Sequence, residues 1–136
     1  MNWPALNAYF DKIKSEPFVW GKHDCLTFTN ECFHMLHGKG WADDWLGRYL
    51  NNGLPLTHRA LQKEFGFKTL DDAISSRLKK INYLAPRGAL VTEAVKRRVI
   101  AGRSFGISIG IKAVFLAGDG LIYKNLTNVS EAYVYE

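Results

Sequence analysis

The sequence has no apolar run long enough to cross a bilayer, only two cysteines, Cys25 and Cys32, and no histidine after His58. The first absence excludes a membrane-spanning helix, which needs about 20 consecutive apolar residues. The second excludes a disulfide framework. Seven residues of helix hold two Cα atoms ~10 Å apart, so both cysteines are expected as free thiols, as in a reducing compartment. The third leaves the second half of the chain without an imidazole to act as a general base. Also missing are a zinc-finger spacing, an aromatic-rich RNA-binding motif and a basic helix leading into heptads, so no specific nucleic acid is expected as a partner.

What is present suits a single domain over residues 1–136. The chain is 47% hydrophobic and 13% aromatic, enough for a core that needs neither disulfides nor metals. Net charge is +5, from 18 basic and 13 acidic residues, a weak bias toward anionic partners. The one basic run, Lys96-Arg97-Arg98, reads first as a solvated face. A nucleic-acid or membrane-surface role would rest on that run alone. The opening stretch MNWPALNAYFDKIK carries polar and acidic residues where a signal peptide carries its apolar core, so synthesis in a cytoplasm is expected.

Helical spacing dominates the first half. Pro4 suits a first turn, and Leu6, Tyr9, Phe10 and Ile13 follow on one face until Glu16-Pro17. A second helix should run from Cys25 to His37-Gly38. Its apolar stripe is Cys25, Phe28, Cys32, Met35 and Leu36, with Thr27, Asn30, Glu31, His34 and His37 opposite. The connection WADDWLGRYL has room for helical turns. Thr57 caps a short helix through Leu61 and Phe65, ended by Gly66. Thr69 opens another bearing Leu70, Ile74, Leu78 and Ile81. After Pro86 come the strand-like segments ALVTE, VKRRVIA, SFGISIG, KAVFLAG, LIYKN and EAYVYE, with Gly118-Asp119-Gly120 as a turn. Helices first and strands after predict α+β, with N-terminal helices packed on a C-terminal antiparallel sheet.

The chemistry gathers at Cys25. Asp24 is placed to cap the second helix through the N–H groups of Leu26 or Thr27. Cys25 would then sit in the first turn, where the helix dipole favours a thiolate. A free cysteine is also a good small apolar core residue, and Cys32, two turns deeper on the same stripe, reads as core. The pattern C-x6-C-x-H-x2-H looks like a zinc motif, but a straight helix cannot converge Cys25, Cys32, His34 and His37 on one ion. Neither a metal nor a cofactor is expected.

The stretch PFVWGKHDCLTFTNECFHMLHG resembles the start of the NlpC-type cysteine peptidases of the papain-like fold. In that family a Trp/Tyr-Gly pair and Asp-Cys lead into the nucleophile helix. APRGALV resembles the family's Pro-Gly-Asp-Leu turn, and SFGISIG its His-Val-Gly-Ile strand. The whole chain is similar to short tailed-phage and prophage proteins related to that family. These share the WG-x-x-DC motif, a Gly47-Arg48-Tyr49 segment and the closing glycine-rich strands.

The resemblance implies a papain-like fold with Cys25 at the nucleophile position and Asp24 before it. It puts the family's general-base histidine on Ser104 and its turn aspartate on Ala89, so neither group is retained. His23 is the only nearby candidate base, and it reaches the sulfur only if its loop folds back. His58 has no specific argument in its favour. The implied function is a structural or assembly component of a phage tail tip, located in the virion and contacting other tail proteins. Trp3, Trp20, Trp41, Trp45, Tyr133 and Tyr135 are then candidates for core or for those contacts. The alternative is an active peptidoglycan-cleaving cysteine peptidase or amidase used in phage entry. There Cys25 would form a thioester, and helix-start N–H groups would hold the oxyanion.

Overall fold

A computed structural model describes residues 1–95 and 98–135. Helix α1 spans Trp3–Ile13, with the Asn2 side chain capping the Ala5 N–H and with Leu6, Phe10 and Ile13 turned inward. Helix α2 spans Cys25–His37 and ends at Gly38, whose φ of +82° is a left-handed conformation that suits glycine. No helix is long and apolar enough to cross a membrane among the described residues.

The polar side of α2 differs from the sequence expectation at two residues. Asn30 is buried, because its side chain bonds the loop that follows: Oδ1 accepts the Ala42 N–H at 2.9 Å, and Nδ2 donates to Asp43 at 2.7 Å. Nor is His34 free in solvent, since its Nε2 meets the same Asp43 oxygen at 2.6 Å. This clasp seats Trp41 and Trp45 in the core, Trp41 ahead of a 3-10 turn, Asp43–Trp45, and Trp45 at its end. Gly40 lies so close to Asn30, Asp43 and His34 that a side chain there would collide with all three.

A short hairpin follows, β1 (Leu50–Asn51) and β2 (Leu54–Pro55), joined by Asn52-Gly53. Both turn residues have positive φ, as a two-residue type I′ hairpin requires. Helix α3 (His58–Phe65) starts at the Thr57 cap and stops at Gly66. Helix α4 is shorter than expected, spanning Leu70–Ser75 and not reaching Ile81. Leu78 still bonds back to Ile74, but Lys79–Ile81 leaves the helix as strand β3 and pairs with the last strand. Sheet pairing satisfies those backbone groups and outweighs the local helical spacing.

The main sheet comprises β3, β4 (Leu90–Ala94), β5 (Arg103–Ser108), β6 (Ala113–Ala117), β7 (Gly120–Lys124) and β8 (Glu131–Val134). Its order is β3-β8-β4-β5-β6-β7, and every neighbouring pair is antiparallel. The fold is therefore α+β, with helices first and an antiparallel sheet after. The expected strand at VKRRVIA is absent where it is described. Ile100 makes only a bridge to Arg103 across Ala101-Gly102, and Lys96 and Arg97 lie outside the described residues.

Alternation along the strands divides two cores. Leu90, Phe105, Ile107, Val114, Leu116 and Tyr133 face α1 and α2, where they meet Leu6, Phe28, Phe33 and Leu36. Val91, Ala113, Phe115 and Ala132 face the other way, against Ile81, Ala89 and Leu126. Each fully buried large side chain contributes about 1.5–3 kcal/mol of transfer free energy.

Candidate functional site around Cys25

The loop before α2 turns back on itself, with Val19 and His23 exchanging both backbone hydrogen bonds at 2.8 and 2.9 Å. Gly21 at its tip has φ +82°, and an added Cβ would press on Leu50 at 3.0 Å. Both facts explain a glycine after Trp20. The turn aims the Gly21 N–H at Asp24, 2.8 Å away.

Asp24 is fully buried and its carboxylate is crowded with donors. Oδ1 accepts the N–H groups of Leu26 at 3.0 Å and Thr27 at 2.9 Å, and Oδ2 accepts the Gly21 N–H and the Tyr49 hydroxyl. The Thr27 hydroxyl in turn accepts the Asp24 N–H at 2.8 Å, closing a reciprocal capping box. Burial, then the bond to Asp24, push the Tyr49 phenol well above its usual range.

Cys25 begins the helix and is fully buried. Backbone N–H groups of Phe105, Cys25 itself and Leu26 lie against the sulfur and favour the thiolate. Desolvation outweighs them, and the Asp24 charge adds to it, so the thiol is pushed up to about 12. The helix dipole that would lower it is thus overcome by burial. Cys32 is buried on the same stripe, with its thiol raised by desolvation first and the Glu31 charge second.

The sequence-derived candidates separate in space. His23 is buried, its Nε2 has no hydrogen-bond partner, and no hydrogen bond joins its ring to the Cys25 sulfur among the described residues. Ser104 pairs with Glu93 and lies on the sheet face turned away from α2, one residue before the amide that touches the sulfur. Ala89 belongs to that far-side core as well. From β5, Phe105 is the side chain presented to the helical core, where it packs edge-on against Trp41 at 5.5 Å. An imidazole in place of Ser104 would point away from Cys25.

Two contributors escaped the sequence reading. Tyr49 stands in the Gly47-Arg48-Tyr49 segment, yet its bond to Asp24 crosses 25 residues and left no local signal. His37 stacks on Tyr135 with ring centroids 4.9 Å apart, and its Nε2 lies 3.1 Å from the Gly88 carbonyl, tying α2 to the Arg87-Gly88 turn. The Asp-Cys and Arg-Gly motifs are both anchor points of the helix on the sheet. Among the described residues, no group of three or more His, Cys, Asp or Glu side chains converges to hold a metal ion.

The chain is an α+β protein organised on a buried Asp-Cys helix start. A family model described as a domain of unknown function (DUF6950) matches residues 1–134, and the chain belongs to that family. No curated protein and no solved structure matches it.

Proposed function

We propose that this chain is a tail-tip structural or assembly component of a bacteriophage or prophage. In this reading it keeps a papain-like, NlpC-type architecture without its hydrolytic chemistry. The observation that carries the non-catalytic half is the sealed Cys25, buried completely with its thiol raised to about 12. A cysteine hydrolase needs an accessible thiolate and a base within reach of it. Here the approach from β5 is filled by Phe105.

The assembly half rests on the motif resemblance and on the surface. Met1 and Ile111 stand exposed around an open cavity with Pro86, Arg87 and Ile109. Tyr83 and Leu84, more than 60% exposed, lie on the chain just before Pro86. Exposed large apolar side chains gathered around one cavity, as Met1 and Ile111 are, mark surfaces that are covered in an assembly.

The test is a phage or prophage carrying Cys25→Ala. Infectious tails should assemble at the normal yield. In parallel, purified protein is incubated with peptidoglycan and released stem peptides are measured. Release that Cys25→Ala abolishes would overturn the proposal in favour of a peptidase. Tails of normal composition that lack this chain altogether would overturn the assembly role.

A further inference from the structure

Two turns meet at one end of the sheet, residues 85–89 before β4 and residues 109–112 between β5 and β6. Ser108, fully buried, ties them together. Its hydroxyl donates to the Ala85 carbonyl at 2.9 Å and accepts the Gly110 N–H at 3.1 Å. The Gly88 N–H donates to the Ser108 carbonyl at 2.8 Å, and the Ile109 N–H closes the second turn on the Lys112 carbonyl at 2.9 Å. On this braced backbone sits the open hollow lined by Met1, Pro86, Arg87, Ile109, Gly110 and Ile111.

The hollow exposes side chains that a solvated turn does not call for. Ile111, at the tip, is 80% exposed, and Met1 is 65% exposed. Turn tips are ordinarily built from small and polar residues, and large apolar groups gathered around one hollow are better covered than wetted.

Its charge has one sign. Arg87 is exposed but not loose. Its stem lies against Gly110, where φ is +94° and an added Cβ would collide with Arg87 Cγ. Its guanidinium stacks on the Trp3 indole, 4.2 Å from the ring centroid. Lys112, beside Ile111, donates to Asn125 Oδ1 at 2.6 Å. Among the described residues neither cation has an ion-pair partner, and no carboxylate lines the hollow. A fixed guanidinium without a counter-charge is prepared for a planar acceptor, and its ordering cost is already met.

That charge selects among occupants. A second copy docking by the same face would set Arg87 against Arg87, since a two-fold contact brings identical patches together. A flat anionic bilayer would leave the hollow between the turns unfilled. An acidic protein segment satisfies both the charge and the shape.

We propose that this face docks a segment of another protein that carries one large apolar side chain beside a carboxylate. The apolar group fills the hollow against Ile109, Ile111 and Met1. The carboxylate takes the fork of Arg87, and Lys112 adds to the attraction. The inference rests on the assembly role proposed above and adds the chemistry of the partner.

The test is a selection of random dodecapeptides on the immobilised full-length protein, followed by measurement of the selected peptides on Arg87→Gln and Ile111→Ser. Both side chains are exposed, so the fold tolerates either change. Selected peptides should carry Asp or Glu close to Leu, Ile, Phe or Met. They should shift the amide resonances of Ile109, Gly110 and Ile111 in ¹⁵N-labelled protein. Each variant should weaken binding at least about fivefold, and added salt should weaken the unaltered protein more than Arg87→Gln. A selection that returns no peptide dependent on Arg87 and Ile111, or returns basic ones, overturns the proposal. Binding of phosphatidylglycerol vesicles that both variants abolish would overturn it in favour of a membrane contact. Self-association lost in Ile111→Ser would overturn it in favour of a contact between copies. The selection uses purified protein alone, so it can fail while tails still contain the chain, and the tail experiment can fail while peptides still bind.

Discussion

The Tyr49 hydroxyl donates to the buried Asp24 carboxylate at 2.5 Å, so a residue between α2 and the β1–β2 hairpin completes the cap of the helix that carries Cys25. Every other donor to that carboxylate among the described residues comes from residues 21–27. Among the described residues, Tyr49 is the one link from outside.

Removing that hydroxyl leaves a buried carboxylate oxygen with the Gly21 N–H as its remaining partner. Tyr49→Phe keeps the ring in place and should cost ~1–3 kcal/mol in urea denaturation, the penalty for an under-satisfied buried polar group. Asp24→Ala strands four donors and should cost more than Tyr49→Phe. Equal stability of Tyr49→Phe and the unaltered protein would show that the hydroxyl is dispensable to the cap.

The buried thiol makes a prediction at alkaline pH. Folding raises Cys25 from its ordinary 9.0 to about 12. Between those values the unfolded chain has lost the proton and the folded chain has kept it. The unfolded state thus binds fewer protons, and stability falls as pH rises from 9 toward 12. For this one group the slope is ~1.4 kcal/mol per pH unit. Cys25→Ala should flatten the curve over that range relative to the unaltered protein. Alkylation at pH 8 should be slow in buffer and fast in urea, and rapid labelling of the folded protein would show an open sulfur.

The N-terminal half was largely readable because its signals are local. Asp24 and Gly38 bracket α2, and Thr57 and Gly66 bracket α3, each through hydrogen bonds within a few residues. What was not readable depended on partners distant in sequence. Ile81 fits a helical stripe after Ile74 and Leu78, yet its backbone is claimed by β8, fifty residues on. Asn30 looked solvated because the loop that buries it, residues 40–45, had no predictable position. At the site, Asp24 and Cys25 were legible as a helix start. Which residue of SFGISIG faces the sulfur was not, since one step along a strand exchanges the two faces of the sheet.

The clasp between α2 and the 40–45 loop carries an acid-side prediction. Asp43 is held below its ordinary value first by the Asn30 hydrogen bond and then by His34. A carboxyl lowered by folding adds stability above the unfolded value of 3.8 and loses it as pH falls through the folded value. Asp43 is largely exposed, so solvent screening keeps the effect modest. Asp43→Asn should flatten the acid limb below pH 4 and leave the alkaline limb unchanged, read by the fluorescence of Trp41 and Trp45 seated beside the clasp. Gly40→Ala, which drives a methyl group into Asn30, Asp43 and His34, should destabilise the protein at every pH.

The register of β5 decides where an imidazole would have to be placed to serve Cys25, and two variants put this to the test. Ser104→His installs a histidine where the resemblance to NlpC-type peptidases would put a general base. Because Ser104 points to the far face, beside Glu93, the rate of Cys25 alkylation and its dependence on pH should stay as they are. Phe105→His acts on the near face, where the ring packs on Trp41 and the backbone N–H touches the sulfur. The loss of a fully buried phenyl ring should cost ~3 kcal/mol or more, and the loosened pocket should speed labelling of Cys25. If Ser104→His instead accelerated alkylation while Phe105→His left it unchanged, the strand would be in the opposite register, and the face assigned to Phe105 would belong to Ser104.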